Sequence, residues 1–242
     1  MAEQEVIKHT KKGYKVWHSK EHSLWQKCKE FLLEIFIIVF AVTISIWFHN
    51  KSEHANQQEN VKQFLLGLKS DLLNDIKEMQ SDRQSFLNQK AAFEYITSVK
   101  MNQPLNEDSL EKHKSWLFNT TGLNPNNGRF EGFKSSGRIG LIENNELQND
   151  IMDLYQEDIV SLLVTTDSYT YAKRKLFEYV YQNTKRLTDS TNNLGTILAK
   201  DESENICSML KNPDQVIERY DNCINKAKKI VNEIDQEYGL KE

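Results

Sequence analysis

Turn-forming residues are scarce in this chain. Its 242 residues include only three prolines and nine glycines. An all-β protein needs many turns, so this composition leaves little material for one. The prolines, Pro104, Pro125 and Pro213, fall at boundaries between stretches of helical periodicity. The composition therefore favours a helical protein with few breaks.

The common catalytic and nucleotide-binding motifs are also lacking. The sequence contains no phosphate-binding loop, no His-Glu metal motif, no Gly-x-Ser-x-Gly and no Cys-x-x-Cys. The basic cluster Lys173 to Lys175 is short and lies in an acidic region, which disfavours nucleic-acid binding. We therefore expect a protein that is not an enzyme, needs no cofactor and does not bind nucleic acid.

What the sequence does contain is one long apolar run near the N-terminus. Residues 31–48 read FLLEIFIIVFAVTISIWF and carry a single charge, Glu34. As a helix this run spans about 27 Å, close to the hydrocarbon thickness of a bilayer. Trp47 stands where an interfacial anchor is expected, and no signal-peptide cleavage pattern follows Phe48. These features predict an uncleaved transmembrane helix over 31–49; the alternatives are a buried core helix and a processed leader.

Lysines are unequally distributed on the two sides of this run. Residues 1–30 contain seven lysines and four glutamates, a net charge of +3, whereas residues 49–78 contain four lysines. By the positive-inside rule, residues 1–30 form a basic cytoplasmic tail and residues 50–242 form an exported domain. The lipid bilayer is therefore a predicted partner.

Beyond the run, apolar residues recur at a spacing of three and four. This pattern predicts that the membrane helix continues to about Val99 and that a second long helix runs from the Asn144-Asn145 cap to about Leu187. A last helix is expected from Asn212-Pro213-Asp214, and a short one over Asp108 to Phe118. Because each long helix has one apolar face, we predict an all-α fold, in which the transmembrane helix continues into an elongated antiparallel helical bundle.

Residues 119–143 are the least regular part of the exported domain. They contain GLNPNNG and RFEGFKSSGRIGLI, in which Asn-Gly and Ser-Gly pairs favour turns with positive φ. We expect a tight, partly buried corner at the end of the bundle far from the membrane. Turns carry function more often than helix faces do, so this corner is the candidate interaction surface; the alternative is a cap that only closes the core. The candidate contact residues are Phe130, Phe133, Ser136, Gly137 and Arg138.

Two polar features near the membrane also allow functional interpretations. Glu34, inside the predicted span, is a candidate proton relay or a partner for a charged helix. It lies only one turn from Glu30, however, so the alternative is that its carboxylate reaches the headgroups. His18 and His22 have the i, i+4 spacing of a metal-binding pair, but no second ligand pair accompanies them. We expect a tail without bound metal.

The cysteines and tyrosines of the exported domain complete the set of candidates. Cys207 and Cys223 lie on the predicted oxidising side, and a bridge between them would close a loop of about fifteen residues, worth about 3 kcal/mol. A helix turn at Asn212 and Pro213 would place them at unequal distances from the turn, so two buried thiols are the alternative. The aromatic residues between Tyr169 and Tyr181 point to different helix faces and are expected to pack the core rather than form a ligand cage.

Three segments of the chain resemble a family of uncharacterised single-pass membrane proteins of Bacteroidota. They are LLEIFIIVFAVTISIWF, VKQFLLGLKSDLLNDI (Val61 to Ile76) and FKSSGRIGLIENNELQNDIMDLY (Phe133 to Tyr155). The resemblance implies a location in the bacterial inner membrane, with a short cytoplasmic tail, one span and a helical exported domain in the periplasm that has a Ser-Gly corner before a long helix. It includes no catalytic motif, and the tail residues Trp17, His18, His22 and Trp25 have no counterpart in it.

These observations leave two functions. The first is a membrane-anchored, non-enzymatic interaction or scaffold protein of the cell envelope, which binds another envelope protein or a second copy of itself. The alternative is a sensory input module, in which a ligand shifts helices of the bundle and the shift passes to a separate cytoplasmic partner. The tail of about thirty residues has no room for an output domain, which favours the first.

Overall fold

The computed structural model describes Lys11, Tyr14 and residues 24–99, 105–188 and 191–239. Within these residues the regular secondary structure is helical, and β-structure is limited to an isolated bridge between Arg186 and Asn192. The predicted all-α fold is therefore confirmed. The chain divides into two compact units, Met1–Asn60 and Val61–Glu242.

The first unit contains the exposed, apolar part of helix α1, which runs over Leu24–Ser98. An 18-residue window of this helix has a mean hydropathy of 2.5, and none of it is buried. Phe36 and Phe48, for example, are 66% and 62% exposed. The hydroxyls of Thr43 and Ser45 donate hydrogen bonds to carbonyl oxygens four residues earlier, so both hydroxyls are satisfied within the helix. Among the described residues, α1 is the one helix long and apolar enough to cross a membrane.

The second unit contains the rest of α1 and a series of shorter helices. Their bounds are α2 Glu107–Phe118, α3 Gly128–Ser135, α4 Asn145–Asp153, α5 Ile159–Asn183, α6 Leu194–Leu198, α7 Asp201–Leu210 and α8 Asp214–Tyr238. A 3-10 turn, Arg138–Leu141, follows α3, and a π-helical turn, Leu154–Asp158, joins α4 to α5 without a break. The predicted second long helix is thus α4 to α5, and it begins as predicted at Asn144, whose side chain accepts a hydrogen bond from Leu147 N. The spacing pattern did not predict α3, α6, α7, the 3-10 turn or the π-helical turn.

The long helices of this unit do not simply alternate in direction. Helix α8 is antiparallel to α1, as three ion pairs show: Lys90 with Asp214, Arg83 with Asp221, and Lys69 with Asp235. Helix α5 instead runs parallel to α1, as two contacts in the same order along both helices show: the Phe86 ring contacts the Tyr169 ring, and Gln89 bonds Lys173. The last helix is therefore antiparallel to its neighbours, while the first two long helices are parallel.

The parallel pair arises because the chain between α2 and α4 travels back along α1. We call residues 119–133 the return segment. Its contacts with α1 descend in order: Thr121 with Gln89, Asn124 with Glu78, Asn126 with Asp75, Arg129 with Asp71, and Phe133 with Phe64. This segment ends near Val61, and α4 starts at the same end of the unit.

Buried apolar residues form two clusters in this unit. The first cluster joins α1 to α3, α4, α5 and α8, and includes Leu65, Leu68, Phe130, Leu147, Ile151 and Tyr220. The second cluster joins the end of α1 to α2, α5, α6 and α7, and includes Phe93, Ile96, Leu117, Leu176, Ile197 and Leu210.

The two clusters decide the question of the disulfide. Cys223 is buried in the first cluster and Cys207 in the second, and both are free thiols. Burial raises the pKa of each thiol to about 12. The bridge that the sequence left open is absent, because α7 and α8 place the two cysteines in different parts of the core.

Candidate functional site

The predicted corner lies at the Val61 end of the second unit. The Phe133 ring stacks on the Phe64 ring with centroids 3.9 Å apart, and Arg129 Nε bonds Asp71 Oδ2 at 2.8 Å. Both partners belong to the first turns of α1 in this unit, where the chain enters from residue 60. The expectation that the corner lies at the far end is wrong, because the return segment brings it back along α1.

The two phenylalanines proposed as contact residues are part of the core. Phe130 has no exposed surface, and its ring stacks on the Tyr155 ring at 4.5 Å. Phe133 is 9% exposed and packs in the same cluster. They lie three residues apart on α3, so both face inward on the same side of this short helix. The prediction that they contact a partner is wrong.

The remaining candidates of the corner are accessible. Ser136, Gly137 and Arg138 are exposed, immediately after α3. Gly137 has a φ of 72°, in the left-handed region predicted for the Ser-Gly pair, and its N–H donates to Lys134 O at 2.9 Å. These three residues stay candidates for contact with a partner.

A close approach of Arg129 explains the lone glycine of the first long helix. The Arg129 guanidinium lies against Gly67, and a Cβ atom built on Gly67 would overlap it. From there Arg129 reaches Asp71, one turn along α1, and forms a salt bridge. Gly67 is therefore a contact point for the return segment rather than a helix stop.

Buried and half-buried carboxylates of α1 hold the middle of the return segment. Asp75 is 1% exposed and accepts hydrogen bonds from Asn126 Nδ2 at 2.6 Å and from Asn126 N at 3.2 Å. Burial raises the pKa of Asp75, and the bonds from Asn126 oppose that rise. Glu78 accepts from Asn124 N at 2.9 Å. Neighbouring Tyr155 is buried as well, and its burial together with the negative Asp75 raises its pKa.

Lys173 is a buried lysine that joins three elements. Its side chain extends from α5 and is 7% exposed. Nζ lies within hydrogen-bonding distance of four oxygens: Asn119 O at 2.6 Å, Gln89 Oε1 at 2.7 Å, Asn119 Oδ1 at 2.9 Å and Trp116 O at 3.1 Å. Burial lowers the pKa of Lys173 to about 7, whereas the four oxygens favour the charged form. Because it is enclosed, Lys173 can position these elements but cannot reach a substrate.

A group of carboxylates on α4 and α8 has the spacing of a metal site. Oxygens of Glu146, Asp150 and Glu233 lie within 4.8 Å of one another. The Lys229 ammonium stands among them, at 2.8 Å from Glu146, 2.6 Å from Asp150 and 3.3 Å from Glu233. Bonds to these carboxylates raise the pKa of Lys229, while burial raises the pKa of Glu233. The arrangement is an ion-pair network that joins α8 to α4, with a lysine in the position of the cation.

An aromatic groove opens beside α2 and α5. Phe177 stands between Phe118 and Tyr181, with ring centroids 6.1 Å away on either side. Phe177 is 53% exposed and Tyr181 is 76% exposed, and a cavity of about 220 Å³ lies along them. The expected core packing holds for Tyr169, which contacts Phe86, but is wrong for Phe177, Tyr181 and the exposed Tyr171. These residues lie on faces of α5 that no helix among the described residues covers fully.

The remaining candidates are His18, His22 and Glu34. His18 and His22 lie outside the described residues. The Glu34 side chain is half-buried on α1.

Comparison of this chain with models of protein families, with curated proteins and with solved structures finds no match.

Proposed function

We propose that this chain is a membrane-anchored, non-enzymatic interaction protein of the cell envelope. In this proposal residues 1–30 are cytoplasmic, residues 31–49 span the inner membrane, and the second unit is exported to the periplasm. The exposed apolar stretch of α1 carries the proposal: its 18-residue window is unburied, although the chain has a separate, well-formed core. Exposing so much apolar surface to water is costly, and a bilayer removes that cost. The resemblance to single-pass membrane proteins supports the same location.

The surface of the second unit supports the interaction part of the proposal. Partly exposed aromatic side chains are typical of protein interfaces, and Phe177 and Tyr181 form such a group beside α2. The exposed turn Ser136 to Arg138 is a second candidate surface. The partner is another envelope protein or a second copy of this chain.

Thiol labelling tests the membrane orientation, because the natural cysteines provide a reporter. Cys28 is exposed, whereas Cys207 and Cys223 are buried. A membrane-impermeant maleimide should label Cys28 only after spheroplasts are lysed. In a Cys28→Ser background, Ser136→Cys should instead be labelled in intact spheroplasts. The reverse labelling pattern would indicate the opposite membrane orientation. Recovery of the protein in the soluble fraction after carbonate extraction would refute the proposal that residues 31–49 anchor it in a membrane.

Crosslinking in intact cells tests the interaction. We expect a reproducible crosslink from the second unit to an envelope protein or to a second copy, identified by mass spectrometry. The double variant Phe177→Ser, Tyr181→Ser should lose it. Met209→Ser, which changes another apolar side chain with 72% exposure, is the matched control and should retain it. Retention in both variants would eliminate the aromatic groove as the contact.

A sensory input module is the second candidate. It is favoured by the uninterrupted helix α1, which extends from the apolar stretch into the second unit. A ligand of the second unit should raise the melting temperature of the full chain in detergent, because it binds the folded state. A flat response across a broad library of small molecules, with crosslinking to a protein partner intact, would favour the interaction protein.

A further inference from the structure

Helix α5 carries most of the exposed apolar surface of the second unit. Among the described residues of this unit, its exposed large apolar side chains are Val160, Val164, Tyr171, Phe177 and Tyr181. The others, Leu73, Leu187 and Met209, lie outside α5. Single exposed apolar residues are ordinary on a protein surface, whereas a group of them on one helix indicates an interaction site.

The exposed residues of α5 form a stripe with the spacing of a contact between two helices. Val160, Asp167, Arg174 and Tyr181 follow one another at intervals of seven, and Val164 and Tyr171 lie four residues after the first two. All six side chains are exposed, and we call them the outer seam of α5. Its ends are about 32 Å apart along the helix axis. A seven-residue repeat keeps a stripe in contact with a second helix lying alongside, so the seam suits a helix rather than an extended segment.

Two opposite charges lie in the middle of the seam. Asp167 and Arg174 form no ion pair and no side-chain hydrogen bond with the part of the chain that the structure describes. Charges on neighbouring helices are paired, for example Arg83 with Asp221. Covering an unpaired charge is costly, so a helix that covers the seam needs a basic residue opposite Asp167 and an acidic residue opposite Arg174.

A second copy of this chain does not meet this requirement in the proposed membrane orientation. Two α5 helices side by side in the same direction bring Asp167 against Asp167 and Arg174 against Arg174, which is repulsive. An antiparallel copy would match the charges, but it would also reverse α1, because α5 runs parallel to α1. Copies with the proposed orientation in one membrane all have α1 running in the same direction. The charges of the seam therefore favour a helix from a different protein.

We propose that the outer seam of α5 binds one amphipathic helix of a different envelope protein. The apolar face of that helix packs against the valines and tyrosines of the seam and supplies most of the buried surface. Its basic and acidic residues, one heptad apart, meet Asp167 and Arg174 and determine which helix is accepted. At its C-terminal end the seam joins the aromatic groove, since Tyr181 belongs to both. The inference rests on the proposed function and names the class of partner.

Binding of two designed helical peptides to the full chain tests this inference. The chain is placed in nanodiscs of neutral phosphatidylcholine, and the fluorescence anisotropy of each labelled peptide is measured against empty nanodiscs. Both peptides have a leucine face. In this face the first peptide carries one lysine and one glutamate seven residues apart, and the second carries glutamate at both positions. The lysine can face Asp167 whichever way the first peptide lies.

We expect the wild type to bind the lysine–glutamate peptide about three to ten times more tightly, because the second peptide replaces an exposed ion pair by a contact of like charges. Asp167→Arg should reverse this preference by a similar factor. Glu218→Arg makes the same change of charge at an exposed position on α8. It is the matched control and should keep the wild-type preference.

Three results would overturn the proposal. The first is that neither peptide binds, or that the wild type binds both equally. The second is that Asp167→Arg keeps the wild-type preference. The third is a dimer of the wild-type chain in analytical ultracentrifugation that Asp167→Arg dissociates, which would assign the seam to a second copy. None of these results decides the proposed function, which thiol labelling and crosslinking in cells test without a peptide. If Asp167→Arg does not accumulate, Arg174→Asp provides the equivalent test, with a peptide that carries lysine at both positions as the preferred one.

Discussion

Replacing Phe130 distinguishes two roles for the corner, contact with a partner and packing of the core. If Phe130 were a contact residue, its loss would leave the fold intact and weaken partner binding. In the structure its ring has no exposed surface and stacks on the ring of Tyr155 at 4.5 Å. We therefore expect Phe130→Ala to reduce stability whether or not a partner is present.

The size of this effect follows from the burial of the ring. A fully buried Phe→Ala substitution removes the transfer free energy of the ring and leaves a cavity, which together cost about 3–5 kcal/mol. For a domain of this size, each 1 kcal/mol lowers the melting temperature by about 2–4 °C. The expected drop is therefore roughly 6–20 °C. Phe177→Ala provides the matched control: its ring is 53% exposed, so we expect a drop below about 4 °C.

The assay is thermal unfolding of the full chain in detergent, followed by circular dichroism at 222 nm. Wild type, Phe130→Ala and Phe177→Ala are compared under the same conditions. A melting temperature of Phe130→Ala within about 2 °C of wild type would refute the buried position of this ring. In that case the corner would again be a candidate contact surface with Phe130 at its centre.

Three further predictions concern charge, helix packing and thiols. Burial lowers the pKa of Lys173 from 10.5 to about 7, so between pH 7 and pH 10.5 the folded state has lost a proton that the unfolded state retains. Urea melts should therefore show a free energy of unfolding that rises with pH, by up to about 1.4 kcal/mol per pH unit. Lys173→Met should lose this rise; an equal pH dependence in both proteins would mean that the four oxygens keep the ammonium charged. Gly67→Ala should stabilise an Arg129→Ala variant by about 0.5–1 kcal/mol through helix propensity, and should stabilise the wild type less, because there the new methyl group displaces the Arg129 side chain from its salt bridge with Asp71; equal effects in the two backgrounds would contradict the close approach. Without reductant, one thiol, Cys28, should react with maleimide in the folded protein and three in denaturant, whereas one in both states would indicate a disulfide.

Local patterns in the sequence were sufficient for the helices and for the apolar stretch. The spacing of apolar residues depends only on the helical repeat, so the sequence predicted the bounds of the long helices, including the Asn144 cap, nearly as observed. The Ser-Gly pair likewise predicted the positive φ of Gly137, because that conformation is a property of the residue itself. Length and composition alone were sufficient to identify the apolar run of α1.

Tertiary structure alone decided what those helices bury. Residues 119–133 return along α1, and no local pattern encodes that path, because it depends on carboxylates such as Asp75 and Glu78 that look like ordinary surface charges in the sequence. The return path is the reason that the corner lies at the Val61 end and that Phe130 is core. Lys173 is a second example: the sequence shows a lysine in a basic cluster, and only the tertiary contacts with Gln89 and Asn119, distant in the sequence, enclose it. Periodicity reports which face of an element is apolar, whereas its partners are set by contacts between residues far apart in the chain.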